Sequence, residues 1–247
     1  MHFRTLVLSL LSLSSFALFA QTAKLDQAMV ALDRAYIPAL GLSGQPSELA
    51  RATIALAAFE KAWTGFRDGP AAEPGFDSRW KEDLAIIDGD LAEAKKALLV
   101  EGKGPEAHEA LEGVRMTLLA ARQRQSIPYF LDYVTLYHNS MEDILNGKPV
   151  KPLKDWSDSE RLAFAADLDI GIARWNMVRA KEGLLPEMDL SEKARATYAS
   201  QWQTIGVLMS DIKAALASGD EKALVAKLVQ LKPNFTKTFF LFGDFPQ

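Results

Sequence analysis

Apolar residues recur every three or four positions along nearly the whole chain, the spacing that lines one face of a helix. Between 105 and 124 the stripe is Ala107, Leu111, Val114 and Leu118. Between 127 and 146 it is Val134, Met141 and Leu145, with His138 among them. No period-2 run of β-branched residues interrupts this pattern. The pattern predicts an all-α fold of about eight helices, near 24–37, 47–68, 77–101, 105–124, 127–146, 158–182, 190–218 and 221–242. Ser157-Asp158-Ser159-Glu160 reads as a capping box, and Asp189 with Glu192 as a similar one. Gly104-Pro105 sets proline at a first helical position. Gly69-Pro70, Pro74-Gly75 and Asn146-Gly147 mark connections, and Pro233 should kink or restart the last helix.

A weak internal repeat runs through these elements. Leu25-Asp26 opens the first helix as Leu131-Asp132 opens the fifth, and Trp63 answers Trp175 in the second and sixth. Lys96-Ala97-Leu98 parallels Ala214-Ala215-Leu216 at the ends of the third and seventh. Two tandem four-helix units, 21–125 and 126–247, account for this, packed either separately or as one globular body.

The first twenty residues have a different character. Arg4 precedes an apolar run from Leu6 to Leu13, and Ser14, Ser15, Ala17 and Ala20 form a small-residue end. This is the pattern of an export signal peptide over residues 1–20, with cleavage after Ala20 and Ala17 as the alternative. The apolar run is shorter than the roughly 20 residues a membrane span needs. With no cysteine in the chain, a lipid-anchored cysteine is excluded, so a periplasmic product without a stable membrane anchor is expected. Loss of Arg4, the leader's one charged residue, takes the net charge from −4 to −5. Lys and Glu alternate along the helices and no basic face stands out, which argues against nucleic acid as a partner.

The leader also contains His2, so the remaining chain has only two histidines. Each opens the same motif: His108-Glu109-Ala110-Leu111-Glu112 and His138-Asn139-Ser140-Met141-Glu142. The i, i+4 spacing stacks imidazole and carboxylate on one helix face. If the two helices form an antiparallel hairpin about Gln125, Glu112 falls level with His138 and His108 with Glu142. Two imidazoles and two carboxylates suit a transition metal such as zinc, copper, iron or manganese. The expected ligands are therefore His108, Glu112, His138 and Glu142, with Met141 a candidate soft ligand one turn from His138. Asp132, Arg115 and Tyr137 are candidates to orient the imidazoles. A plainer reading fits the same residues: half-buried histidines bonded to neighbouring glutamates, which pin two helices in a structural or adaptor protein with a periplasmic protein partner.

Other chemistry is thin. There is no cysteine nucleophile, Gly-x-Ser-x-Gly elbow or phosphate-binding glycine loop, so a non-enzymatic binding protein is expected. Covalent haem would need Cys-x-x-Cys-His. Noncovalent haem, with histidine and one of Met29, Met116, Met141 or Met209 as axial ligands, is a less favoured alternative. Phe235, Phe239, Phe240, Phe242 and Phe245 read chiefly as a buried stripe. Tyr129, Tyr133 and Tyr137 either line a cleft beside the histidines or join the core.

In outline the chain resembles exported helical bundles of Gram-negative bacteria that hold metals or haem, such as b-type cytochrome bundles and imelysin-like proteins. That resemblance implies a helical metal- or haem-binding body and transfers no site residue. Imelysin-like proteins carry Gly-x-His-x-x-Glu, whereas this chain has Glu106-Ala107-His108-Glu109-Ala110-Leu111-Glu112. The cytochrome bundles use a histidine near the C-terminus, and Gly243-Asp244-Phe245-Pro246-Gln247 contains none. The run from Asp132 to Glu142 looks like a family signature.

Overall fold

A computed structural model describes the backbone of residues 4–247 and the side chains of residues 24–247. The leader expected over residues 1–20 lies outside the residues described in full. Eight α-helices form among the described residues: α1 Arg4–Ser43, α2 Leu49–Asp68, α3 Ser78–Lys95, α4 Gly104–Arg124, α5 Phe130–Gly147, α6 Asp158–Ala180, α7 Glu192–Ser218 and α8 Glu221–Phe239. Beyond short helical turns, the only strand-like pairing among them is an isolated bridge between Pro74 and Phe76. The fold is all-α.

Most helix ends follow the local chemistry. The Ser157 side chain accepts from the Glu160 N–H at 3.3 Å, and the Ser157 N–H donates to the Glu160 carboxylate at 2.7 Å, completing a capping box. Three ends and one helix interior differ from what the sequence predicts. The hydrophobic pattern stops the first helix at residue 37, before a proline, yet α1 continues through Pro38 to Ser43. Proline has no N–H to give the carbonyl four residues back. That carbonyl, on Arg34, is instead met by the Asp244 N–H at 2.8 Å from the C-terminal tail. Arg34 also pairs with the Asp244 carboxylate, and the Arg51 guanidinium donates twice to the Pro246 carbonyl.

The other three differences are local. The α7 cap is Ser191, which accepts from the Ala194 N–H at 3.2 Å. Asp189, expected in that role, is left-handed and ends a 3-10 turn. Pro233 leaves α8 unbroken; the carbonyl it deprives belongs to Val229, which is exposed and open to solvent. The expected third helix is split, ending at Lys95 and passing into a π turn over Lys96–Val100.

Packing separates two units, Met1–Thr117 with Asp244–Gln247, and Leu118–Gly243. The division falls within α4, and the tail belongs to the first unit. In the first unit α1 packs along α2. Tyr36 and Phe59 meet edge-on at 5.2 Å, and the Tyr36 hydroxyl donates to the Leu111 carbonyl at 2.7 Å, tying α1 to α4. Trp63, fully buried, donates its indole N–H to Asp88 of α3 at 2.7 Å.

In the second unit α5 packs on α6, α6 on α7, α7 on α8 and α8 on α5, a closed four-helix bundle. Its core joins Phe130, Tyr137, Tyr198, Trp202, Phe235, Phe239 and Phe242 through ring contacts. The phenylalanine run is thus mainly core, although Phe240 and Phe245 are only half-buried. Gly171 lets α6 approach closely: a Cβ there would fall within 2.8 Å of Ile144 and Met209 side-chain tips.

Candidate metal centre

His108 lies in the second turn of α4, beneath the last turn of α1. Its Nδ1 is 2.8 Å from the Leu40 carbonyl oxygen. A carbonyl can only accept, so Nδ1 carries the hydrogen and the ring serves as a cap for one of α1's final carbonyls. Gly44 permits this, because a Cβ there would lie 3.1 Å from the same Nδ1. With Nδ1 protonated, the neutral ring has its lone pair on Nε2. That atom faces Glu112 Oε1 at 3.7 Å, too long for a hydrogen bond. A lone pair opposite a carboxylate calls for something positive between them: a proton on Nε2, or a metal ion. Glu112 is also paired with Arg115, one turn further along α4.

His138 is on α5, in the second unit, with its ring 4.9 Å from that of Phe235 on α8. Its Nε2 is 3.5 Å from Glu142 Oε1. The same oxygen lies 2.9 Å from Lys232 Nζ, also on α8. The His138 ring, and after it the Lys232 ammonium, hold the Glu142 carboxyl down to about 2, against a desolvation that pushes it upward. Each motif therefore does what its spacing requires, placing imidazole beside carboxylate on one helix. Among the described residues, no group of three or more His, Cys, Asp or Glu side chains is gathered to hold a metal ion.

The neighbours expected to orient the imidazoles are otherwise employed. Asp132 takes the Arg122 guanidinium, whose Nε lies 3.0 and 3.1 Å from its two oxygens, and this buried pair closes the α4–α5 turn. Tyr137 is one residue, or 100° of helix, from His138 and turns into the core against Trp202. Its hydroxyl is buried without a hydrogen-bond partner, and burial pushes its pKa up. Arg115 pairs with Glu112 rather than with an imidazole. Met141 is wholly buried in the core of the second unit, the ordinary place for an apolar side chain in that phase. Tyr129 lies under the Arg122 guanidinium at 4.5 Å, and Tyr133 faces Lys181 at 5.4 Å.

Two participants escaped the sequence reading. The Leu40 carbonyl carries no side-chain signal at all. Lys232 is one lysine among many on α8, distinguished only by the packing of α8 on α5.

No helix among the described residues is long and apolar enough to cross a membrane. The fold and these pairs define an all-α protein of helical-bundle type with one His–Glu pair in each unit. No protein-family model, curated protein sequence or solved structure matches the chain.

Proposed function

We propose that this is an exported, non-enzymatic binding protein of the periplasm that holds one transition-metal ion through its two His–Glu pairs, His108/Glu112 and His138/Glu142, for sensing, buffering or delivery. One observation carries the reading. His108 Nδ1 is committed to the Leu40 carbonyl, which leaves Nε2 and its lone pair directed at a carboxylate oxygen 3.7 Å away. Metal-binding histidines have this arrangement, with the far nitrogen tied to a carbonyl and the near one free to ligate. The separation also suits shared ligation. Two donors at about 2.0–2.2 Å from a tetrahedral ion sit about 3.4 Å apart, close to the 3.7 and 3.5 Å of the two pairs. Export is supported by the leader-like pattern of residues 1–20.

The test is elemental analysis of untagged protein purified without chelator, beside a His108→Ala/His138→Ala variant. About one ion per wild-type chain and none in the variant is the expected result. Equal metal content in both would overturn the proposal.

A second reading is favoured by Arg115 on Glu112 and Lys232 on Glu142, which already bring positive charge to both carboxylates. In that reading the pairs are clasps in a helical adaptor. The double variant would then melt lower than wild type by the same margin with and without added metal.

A further inference from the structure

The helix α6 is the least buried of the second unit's bundle. Of its 23 residues, only Phe164, Leu168, Gly171 and Val178 are buried. Its outward face is nevertheless apolar. Leu162 is 70 % exposed, Ile170 52 % and Met177 36 %, and Ala166 and Ala173 between them are exposed as well. Steps of four, four, three and four residues put these five side chains on one line, the seam geometry of a helix that packs against another helix. Isolated exposed apolar residues are ordinary on a protein surface, but a continuous line over four turns marks a contact surface.

The charges at the two ends of the seam say which helix fits. One turn before Leu162 the line continues to Asp158, and one turn after Met177 it reaches Lys181 at the C-cap of α6; both are exposed, and the Lys181 ammonium, 5.4 Å from the Tyr133 ring, would swing from it to pair across the seam. Glu160 lies at the acidic end and Arg179 at the basic end. The helix dipole alone favours acids at the start and bases at the end, but it does not ask for an apolar line between them. A second copy of α6 laid antiparallel makes every layer match. Leu162 meets Met177, Ala166 meets Ala173, Ile170 meets its own twin near the two-fold axis, and Asp158 meets Lys181 at both ends. Asp169, beside the axis, is already paired with Lys213 of its own chain at 2.5 Å. A parallel arrangement would instead set Asp158 against Asp158 and Lys181 against Lys181.

We propose that the outward face of α6 is a self-association surface on which a second copy of this chain docks antiparallel, forming a two-fold dimer with a Leu162–Ala166–Ile170–Ala173–Met177 seam and Asp158–Lys181 pairs at its ends. Such a closed, isologous contact is the commonest form of homodimer.

Sedimentation equilibrium on the purified full chain tests this, with circular dichroism as the folding control. Wild type should be dimeric at tens of micromolar. Ile170→Glu, which puts two like charges on the axis, should be monomeric with an unchanged helical spectrum. Asp158→Lys should weaken the dimer by about tenfold at low salt, since both ends turn repulsive. Asp158→Lys combined with Lys181→Asp should restore it. Restoration is the arm that reads orientation, because the swap leaves a parallel pairing just as repulsive. A wild-type monomer at 200 µM would overturn the proposal, as would a dimer indifferent to Ile170→Glu. Failure of the double swap to recover what Asp158→Lys loses would overturn the antiparallel docking.

Discussion

Arg122→Met is the most informative single perturbation of the second unit. Arg122 and Asp132 are 4 % and 5 % exposed, and the guanidinium bonds both carboxylate oxygens across the α4–α5 turn. Burial pushes the Asp132 carboxyl above its usual pKa even with the guanidinium in place. Methionine keeps much of the arginine stem's volume and takes away the charge, so the carboxyl must either stay ionised in a dry site or bind a proton. At pH 7, protonating a group whose unfolded pKa is near 3.9 costs about 4 kcal/mol at roughly 1.4 kcal/mol per unit. That ceiling agrees with the about 3–5 kcal/mol typical of breaking a buried pair. We therefore expect Arg122→Met to lose about 3–4 kcal/mol at pH 7.

The sign of the pH dependence follows from the direction of the shift. In the variant the folded state keeps its proton while the unfolded state gives it up, so unfolding becomes easier as pH rises from about 4 towards 7. The deficit relative to wild type should shrink by about 1.4 kcal/mol for each unit of acidification until the raised pKa of Asp132 in wild type is reached, and level off below it. Urea unfolding followed by circular dichroism at pH 7, 6, 5 and 4 measures it. The double variant Arg122→Met/Asp132→Leu, with no stranded charge, should regain most of the loss. A single-variant cost below about 1 kcal/mol at pH 7, a cost that does not change with pH, or a double variant as unstable as the single would refute the reasoning.

Glu142 runs in the opposite direction. Its folded pKa of about 2 lies below the unfolded value, so its contribution is complete above about pH 4.5 and disappears as pH falls through 2. Glu142→Gln should cost on the order of 1–2 kcal/mol at pH 6, after discounting for partial solvent screening, and nothing near pH 2; an acid titration of stability that leaves the two proteins parallel would contradict this. At the tail, removing residues 244–247 strips the Arg34 carbonyl of its donor and should cost about 1–2 kcal/mol. In a Pro38→Ala background residue 38 supplies that N–H itself, so the same truncation should cost measurably less in thermal melts. Equal costs in the two backgrounds would show that the tail is held by other contacts.

The helical class and most helix limits were legible because a 3.6-residue apolar period and side-chain caps are local properties. The Ser157 box needed four consecutive residues to be recognised, and the His-x-x-x-Glu motifs only five each. The misread ends are those where the deciding partner is distant. A proline ends a helix unless something else satisfies the stranded carbonyl, and in α1 that donor, Asp244, lies some two hundred residues away in sequence. At α7 the left-handed backbone of Asp189 moves the cap two residues on to Ser191, whose side chain accepts from the Ala194 N–H.

The same division holds at the candidate site. By itself the sequence determined that each histidine would stand beside its glutamate, since i, i+4 geometry is a property of one helix and requires no fold. Tertiary packing decided the rest. It set Leu40's carbonyl on His108 Nδ1, thereby fixing which nitrogen keeps the lone pair, and it brought Lys232 to Glu142. It also turned Tyr137 and Asp132 away from the imidazoles, because a 100° step or a guanidinium in reach outweighs proximity along the chain. Backbone carbonyls and interchangeable lysines leave no signature in a sequence; only the approach of one helix to another gives them a role.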